Sequence, residues 1–214
     1  MRLLSSPLQR VLLLVLVLLL AGIAIVLTLR ARPQLETKAP SPAPSNTAFA
    51  GAALPPGLVA KNFSLRDQNG RLISEAAFRG RVLVLTFIHS QCHDACPFMV
   101  EQIKGALNTL PRQGAGVAAV GISVAPAEDT PASRRSFLSQ HEMERRLAFL
   151  TGSPTQMRQV WRDYAIQPVQ GPVDHSTFVL LIDKRGRERI GFPADQLTPE
   201  ALAHDIRRLQ GEPA

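Results

Sequence analysis

The chain has 214 residues, with 24 lysines and arginines against 17 acidic residues and a formal net charge of +7. This length allows one domain of ordinary size together with additional segments. The basic residues form no run longer than a pair, and one tryptophan and one tyrosine offer little surface for base stacking. These features argue against nucleic-acid binding and favour attraction to an anionic membrane or to an acidic partner.

The first feature along the chain is an uncharged apolar run over Val11–Leu29, interrupted only by Gly22 and Thr28. A helix of that length rises about 28 Å, close to the hydrocarbon thickness of a bilayer. The run exceeds the apolar core of an ordinary signal peptide and no clear cleavage site follows it, so a cleaved signal is the weaker alternative. We therefore predict an N-terminal transmembrane signal anchor over residues 1–30. Basic residues flank both ends in nearly equal number, so charge does not decide its orientation.

Residues 31–56 have a different composition, rich in proline, alanine and serine. Such a segment cannot bury enough apolar surface to fold alone, and its prolines favour extended conformations. We predict that it is a linker between the anchor and a folded domain over residues 57–214.

The first half of this domain shows clear strand and helix patterns. They are a hairpin over 62–74 that turns at Asp67–Gly70, a buried strand over Val82–Ile88, a helix from Pro97 to Thr109, and a second buried strand over Gly116–Val124.

The second half contains three helices with the same start signal, a Ser or Thr N-cap followed by proline. The predicted helices extend from Pro131 to His141, from Pro154 to Tyr164 and from Pro199 to Leu209. A hairpin of strands 177–182 and 187–191 precedes the last of them. Strands and helices thus alternate before a closing hairpin and helix, which predicts a three-layer α/β sandwich with a mixed sheet.

All the cysteine chemistry of the chain lies in one loop, because Cys92 and Cys96 are its only cysteines. With Pro97 as the first helical residue, Cys96 would lie at or near the N-cap, where the helix terminus favours a thiolate. A disulfide across so short a loop would stabilise the fold little, and two buried structural thiols would not need such a polar loop. We interpret the pair as redox-active, as a clamp for a soft metal such as Cu(I) or Zn, or as both.

A third metal ligand is expected from a histidine, because two sulfurs alone leave a copper ion exposed. His141 and His204 lie on predicted helices rich in charge and are interpreted as solvated. His89 and His93 flank or enter the cysteine loop, so both stay open as candidates.

His175 is favoured by its context, directly before the predicted strand 177–182. If this strand runs parallel to Val82–Ile88, the imidazole can face the cysteine loop. Asp174 and Ser176 are then placed to orient the ring as hydrogen-bond partners.

Together these segments resemble the Sco/SenC family of copper-delivery proteins, which are membrane-tethered and have a Cys-x-x-x-Cys-Pro loop and a distant Asp-His-Ser segment. The resemblance extends from about Asn62 to Phe192. It rests on the order and spacing of Asp67–Arg71, Phe78–Arg81, Cys92–Pro97, Ile122–Val124, Asp129–Pro131, Leu150–Pro154, Asp174–Ser176 and Ile182–Asp183. Where the family loop usually has a proline after its first cysteine, this chain has His93.

The resemblance implies a thioredoxin-like fold and a copper ion, Cu(I) or Cu(II), held by Cys92, Cys96 and His175. It implies assembly of the copper centre of a respiratory cytochrome c oxidase. The expected partners are the copper-receiving oxidase subunit and a periplasmic copper donor or thiol reductant. The expected location is the bacterial inner membrane, as a single-pass, monomeric protein whose soluble domain lies in the periplasm.

Two other functions are compatible with the same residues. Cys92 and Cys96 would also serve a thiol–disulfide oxidoreductase that reduces client cysteines without lasting metal binding, with either cysteine attacking first. Asp94 would in either case adjust the thiols or contact the client, or be a solvated loop carboxylate. In the third hypothesis the protein is a membrane-tethered interaction module with incidental cysteines. Whether the protein is an enzyme depends on this choice.

Overall fold

The computed structural model of the protein describes residues 14–22, 49–110, 116–167 and 178–214. The chain divides into two compact units, Met1–Ser45 and Asn46–Ala214. In the first unit, residues 14–22 form a helix of exposed side chains. No helix within the described ranges combines the length and the hydropathy needed to cross a membrane. The rest of the predicted anchor and residues 31–48 of the predicted linker lie outside those ranges.

A mixed β-sheet lies at the centre of the second unit. Its strands and those of a separate hairpin are β1 (Ala52–Ala53), β2 (Ser64–Arg66), β3 (Leu72–Ser74), β4 (Val82–Ile88), β5 (Val117–Ser123), β6 (Leu147–Leu150), β7 (Phe178–Ile182) and β8 (Glu188–Pro193). The sheet has the order β1-β8-β7-β4-β5-β6, while β2 and β3 form the hairpin. The pairs β4–β5 and β5–β6 are parallel, and the pairs β4–β7, β7–β8 and β1–β8 are antiparallel.

Helices cover both faces of this sheet. They are α1 (Ala95–Thr109), α2 (Pro131–Gln140), α3 (Pro154–Asp163) and α4 (Pro199–Gly211). Because successive side chains of a strand point to opposite faces, β4 contributes Val82 and Val84 to a core shared with α1, α2 and α4. Leu83 and Leu85 enter a second core shared with α3 and the β2–β3 hairpin. The predicted three-layer sandwich with a mixed sheet is confirmed.

Three helices begin at the N-cap and proline that the sequence predicted as their start. Thr130, Ser153 and Thr198 each accept the backbone N–H of the residue three positions later, at 3.1, 3.4 and 3.2 Å. A proline follows each cap at the first helical position, where its missing N–H removes no intrahelical hydrogen bond. Local chemistry therefore sets where these helices begin.

Strand β6 was not predicted, and its outer edge is covered by side chains from elsewhere in the chain. Gln68 accepts the N–H of Phe149 through Oε1 at 3.0 Å. Arg134, which is buried, donates to the carbonyl oxygen of Phe149 at 2.6 Å. A four-residue edge strand with such distant partners leaves little local pattern in the sequence.

The expected direction of β7 was wrong, since the strand runs antiparallel to β4 with Thr86 opposite Val179. In this arrangement β7 begins at the end of the sheet where β4 ends. A parallel strand would have begun at the opposite end of the sheet. Phe178, the first residue of β7, therefore lies at the same end of the sheet as the loop that leaves β4.

Residues 49–56, placed in the linker by composition, take part in the second unit. Ala52 and Ala53 pair with β8. The buried carboxylate of Asp205 on α4 accepts the N–H groups of Ala50 and Gly51 at 2.8 and 2.9 Å. Strand pairing and these hydrogen bonds hold the segment although it carries few apolar side chains.

Candidate metal centre

The cysteine loop connects the centre of the sheet to the first helix. All seven residues of β4 are buried, and α1 begins at Ala95 with Asp94 as its N-cap. Cys96 is thus the second residue of the helix and not its cap, while Pro97 is the third. The first N–H groups of a helix have no intrahelical acceptor, so proline is tolerated at the third position as well as at the first. The loop lies at the carboxyl end of β4, where open α/β folds commonly bind their ligands.

The two sulfur atoms lie together at this edge, and both cysteines are present as thiols. The N–H of Cys96 donates to Sγ of Cys92 at 3.4 Å, and the N–H of His89 donates to Sγ of Cys96 at 3.4 Å. The two thiols also share a hydrogen bond. Cys92 is half-buried, whereas Cys96 is fully buried. The fold therefore offers two adjacent soft donors, one of which solvent or a partner can reach.

The prediction that the helix terminus favours a thiolate at Cys96 was wrong. The hydrogen bond with Cys92 and burial raise the pKa of the Cys96 thiol far above its usual range, and the nearby charge of Asp129 adds to this effect. The N–H of His89 acts in the opposite direction but is outweighed. Cys96 is consequently a protonated thiol in this environment.

The ring of His89 is engaged away from the sulfurs. His89 contacts Glu128, with 2.9 Å between Nε2 and Oε2, and its backbone is what reaches Cys96. His93 is exposed in the loop. The structure thus gives no support to the ring of His89 as a third ligand.

The two helical histidines differ from each other. His204 is exposed, as expected, and contacts the neighbouring Asp205. His141 is partly buried, with its ring 4.7 Å from that of Phe137 and Nδ1 2.9 Å from Glu101, so the expectation of a solvated side chain was wrong for it. It lies at the end of α2, where packing on Phe137 covers it.

His175, the favoured third ligand, and its neighbours Asp174 and Ser176 lie outside the described residues. Their assignment stays a prediction. Among the residues that the structure describes, no group of three potential metal ligands converges. What the structure does provide is the direction of β7, whose first residue, Phe178, follows this segment at the edge of the sheet where β4 ends.

Two acidic residues that the sequence did not assign to the site make hydrogen-bond contacts with the residues just before Cys92. Asp129 is buried and accepts the N–H of Ser90 at 2.7 Å, while the exposed Glu128 holds the ring of His89. Both follow β5, which is parallel to β4, so the carboxyl ends of the two strands lie at the same edge. That parallel pairing was the signal that could have placed them near Cys92. Asp94, the other acidic candidate, is exposed in the loop.

Comparison with known proteins adds a family relationship. Residues 52–211 match the family model described as SCO1/SenC. An SCO2-like protein of Rickettsia prowazekii is 28% identical over 149 residues, which are 65% of this chain and 72% of that protein. The mitochondrial SCO2 homolog of Bos taurus is 33% identical over 135 residues, 58% of this chain and 50% of that protein. The copper-bound structure of Bradyrhizobium japonicum ScoI is 29% identical, with a TM-score of 0.61 over 71% of this chain and 99% of that one.

Proposed function

Because this chain belongs to the SCO1/SenC family, we propose that it binds a copper ion and delivers it to the copper-receiving subunit of a respiratory cytochrome c oxidase. The observation that carries the proposal is the pair of adjacent thiols, Cys92 and Cys96, at the carboxyl edge of the central strand. The proposed ligands are these two sulfurs and the imidazole of His175.

The donor set suits this cargo. Thiolate sulfur is a soft ligand that selects Cu(I) and Zn, and imidazole is compatible with copper in either oxidation state. Three protein ligands leave one side of the ion open, so that a receiving protein can attach its own ligands before the first ones leave. Cys92 is half-buried and lies on the accessible side of the pair, where such an exchange would begin.

Copper titration of the full-length protein, reduced and in detergent, tests the proposal. We expect one equivalent of copper bound, with a sulfur-to-copper charge-transfer band for Cu(II). Substitutions Cys92→Ser, Cys96→Ser and His175→Ala should each lower the affinity by at least about tenfold, the lower range for loss of a metal-site contact. The matched control is His204→Ala, which removes an exposed histidine from α4 and should leave the affinity unchanged. Equal affinity in wild type and His175→Ala would refute the ligand assignment.

Thiol–disulfide exchange is a second candidate, favoured by the contact between the two thiols and their unequal burial. The more accessible sulfur, that of Cys92, would attack a client disulfide and form a mixed disulfide, releasing one client thiolate. Cys96 would then attack Cys92, giving the internal disulfide and the second client thiol. His175→Ala separates the candidates, because it should abolish tight copper binding and leave this exchange intact.

The proposed setting is the periplasmic face of a bacterial inner membrane, with residues 1–30 as a single-pass anchor. Its support is the uncharged apolar run over Val11–Leu29 and the family resemblance. A copper donor or a thiol reductant of the same compartment would supply the reduced, loadable site. Membrane fractionation tests the anchor: the full chain should resist extraction at high pH, and a chain without residues 1–30 should appear in the soluble fraction. Recovery of both proteins in the soluble fraction would exclude it.

A further inference from the structure

The carboxylate of Asp129 accepts the backbone N–H of Ser90, in the turn that leads to Cys92. We propose that Asp129 is a positioning residue, which holds the turn leading to Cys92 so that the two sulfurs meet. The position of the two thiols can be tested without copper. Only the expected effect of Asp129 on copper binding rests on the proposed function.

Both carboxylate oxygens of Asp129 are used as hydrogen-bond acceptors. Oδ1 accepts the backbone N–H of Ser90 at 2.7 Å, and Oδ2 accepts the hydroxyl of Ser123 at 2.5 Å. The residue is 1% exposed. Ser123 itself accepts the N–H of Ala125 at 3.2 Å, so its hydroxyl hydrogen is directed to the carboxylate. Two donors facing the same group explain why an aspartate fits this position better than an asparagine, which can accept on one side only.

The hydrogen bond to Ser90 acts on the sulfurs through a short stretch of backbone. Ser90 lies between His89, whose N–H donates to Sγ of Cys96, and the turn that carries Cys92. The N–H of Cys92 donates to the carbonyl oxygen of His89 at 3.2 Å. Fixing Ser90 therefore fixes both the donor to one sulfur and the backbone of the other.

Neighbouring contacts from the same segment hold the same two residues. Glu128 contacts the ring of His89 at 2.9 Å, and the hydroxyl groups of Ser90 and Ser133 lie 3.1 Å apart. Arg134 donates to the backbone carbonyl of Asp129 at 3.1 Å and so fixes the backbone of this segment. The loop between β5 and α2 thus forms a fixed support for the first two residues after β4.

The buried carboxylate is not explained by an ion pair. Within the described part of the chain, no lysine, arginine or histidine makes a salt bridge with Asp129. Its charge also lies close enough to raise the pKa of Cys96. The guanidinium of Arg134 attracts the carboxylate, but its Nε donates to the backbone carbonyl of Asp129 and not to the side chain. The cost of burying the carboxylate is therefore offset mainly by its hydrogen bonds from Ser90 and Ser123. What those hydrogen bonds achieve is the geometry of the cysteine loop.

The test compares Asp129→Ala and Asp129→Asn with the control Asp205→Ala in the full-length protein. Asp205 is also fully buried and accepts two backbone N–H groups, but it lies on α4 and holds residues 50–51. The first measurement needs no copper. It is the equilibrium in which Cys92, Cys96 and glutathione disulfide give the internal disulfide and two molecules of glutathione. Two electrons and two protons pass to glutathione in this exchange.

We expect the equilibrium constant for ring closure to fall about tenfold in Asp129→Ala, the factor that one hydrogen bond of ordinary net strength represents. Asp129→Asn retains an acceptor for Ser90 and should change the constant less than Asp129→Ala does. Asp205→Ala should lower the melting temperature comparably but leave the constant unchanged.

If Asp129→Ala does not fold, Asp129→Asn and Ser123→Ala provide the comparison, each with a fall of about twofold or more. An unchanged constant in the folded Asp129 and Ser123 variants would overturn the proposal. Equal losses in Asp129→Asn and Asp129→Ala would also overturn it, in favour of an effect of charge.

Copper titration of the same variants is the second readout. We expect a weaker charge-transfer band and lower affinity in Asp129→Ala, with wild-type behaviour in Asp205→Ala. If the wild type binds no copper, the proposed function fails, while the glutathione equilibrium still decides the role of Asp129. Full copper affinity in Asp129→Ala together with an unchanged glutathione equilibrium would exclude that role.

Discussion

Two turns of this fold support themselves, whereas the cysteine loop depends on a distant segment. The turns begin at Asp67 and Asp183 and share the pattern Asp-x-x-Gly-Arg. In each, one carboxylate oxygen accepts the N–H groups two and four residues later, at 2.8 or 2.9 Å. The other oxygen accepts from the side chain of the arginine four positions on, Arg71 or Arg187. These contacts all come from within five consecutive residues, and Arg189 adds one further contact to Asp183 from six positions on.

The cysteine loop is held by a carboxylate from 39 positions away, since Ser90 donates to Asp129. Its own acidic residue, Asp94, is exposed and makes no side-chain cap for α1. The loop that carries the chemistry can therefore be adjusted through residues of another segment. The hydrogen bonds to Asp67 and Asp183 come mainly from their own turns, so we expect substitution of these two residues to change stability and not the cysteine pair.

The largest expected effect is on stability: substitution of Asp183 should lower the free energy of unfolding and leave the cysteine equilibrium unchanged. Asp183→Ala removes acceptors for two backbone N–H groups and the ion pairs with Arg187 and Arg189. We expect the free energy of unfolding to fall by about 3 kcal/mol, since hydrogen bonds to a buried charged group are the strong ones. Denaturant unfolding measures this loss. The glutathione equilibrium of Cys92 and Cys96 should not change, and a shift in it would show that the two regions are coupled.

The two turn glycines should differ although both have positive φ. A Cβ at Gly70 meets no atom within 4 Å, whereas a Cβ at Gly186 would overlap the guanidinium of Arg79. We expect Gly70→Ala to lower the free energy of unfolding by about 1 kcal/mol, the cost of the left-handed conformation. Gly186→Ala should lower it by about 2 kcal/mol, because Arg79 must also move and give up hydrogen bonds to Arg185 and Glu75, a further loss of about 1 kcal/mol. Thermal unfolding of the two variants checks this order. Equal losses would show that the side chain of Arg79 moves aside at no cost in free energy.

Arginine substitution in the turns should have a smaller effect. The side chain of Arg71 is 73% exposed, so its ion pair with Asp67 is screened by water. We expect Arg71→Gln to lower the free energy of unfolding by at most about 1 kcal/mol. The backbone hydrogen bonds to Asp67 stay in place in this variant. A loss comparable to that in Asp183→Ala would mean that the ion pair, and not the backbone bonds, holds the turn.

The weakest expected signal is the acid dependence of stability. Burial alone would raise the pKa values of Asp67 and Asp183, but hydrogen bonds from backbone N–H groups and arginines outweigh it and hold them below their usual range. A lowered folded-state pKa means that the unfolded chain binds protons more readily. The stabilisation is therefore complete above about pH 4 and is lost as pH falls through the folded-state pKa. Denaturant unfolding from about pH 5 to 3 should show a shallower decline in Asp183→Asn than in wild type. An identical decline would assign acid sensitivity to other carboxylates.

Much of the fold was predictable because its signals are local. The strand Val82–Ile88 was predicted with its observed bounds, since a continuous apolar run fits a strand buried on both faces. The starts of α2, α3 and α4 follow from a cap and a proline. The start of α1 was misplaced by two residues, because proline is tolerated throughout a first helical turn.

The candidate site was predictable in part. The cysteine pair and the family relationship follow from residue types and spacing alone. The protonated state of Cys96 did not follow, because it depends on burial and on the thiol of Cys92. The position of His141 depends likewise on packing against Phe137, which no helical pattern reveals.

The sequence by itself determined the central strands β4 and β5, the Asp-x-x-Gly-Arg turns, and where two soft donors occur together. Each of these is set by residues a few positions apart. Tertiary structure decided the antiparallel direction of β7, the edge strand β6 and the placement of Asp129 under Ser90. These features depend on which strands become neighbours, and that choice arises from burying the apolar faces of the whole sheet at once.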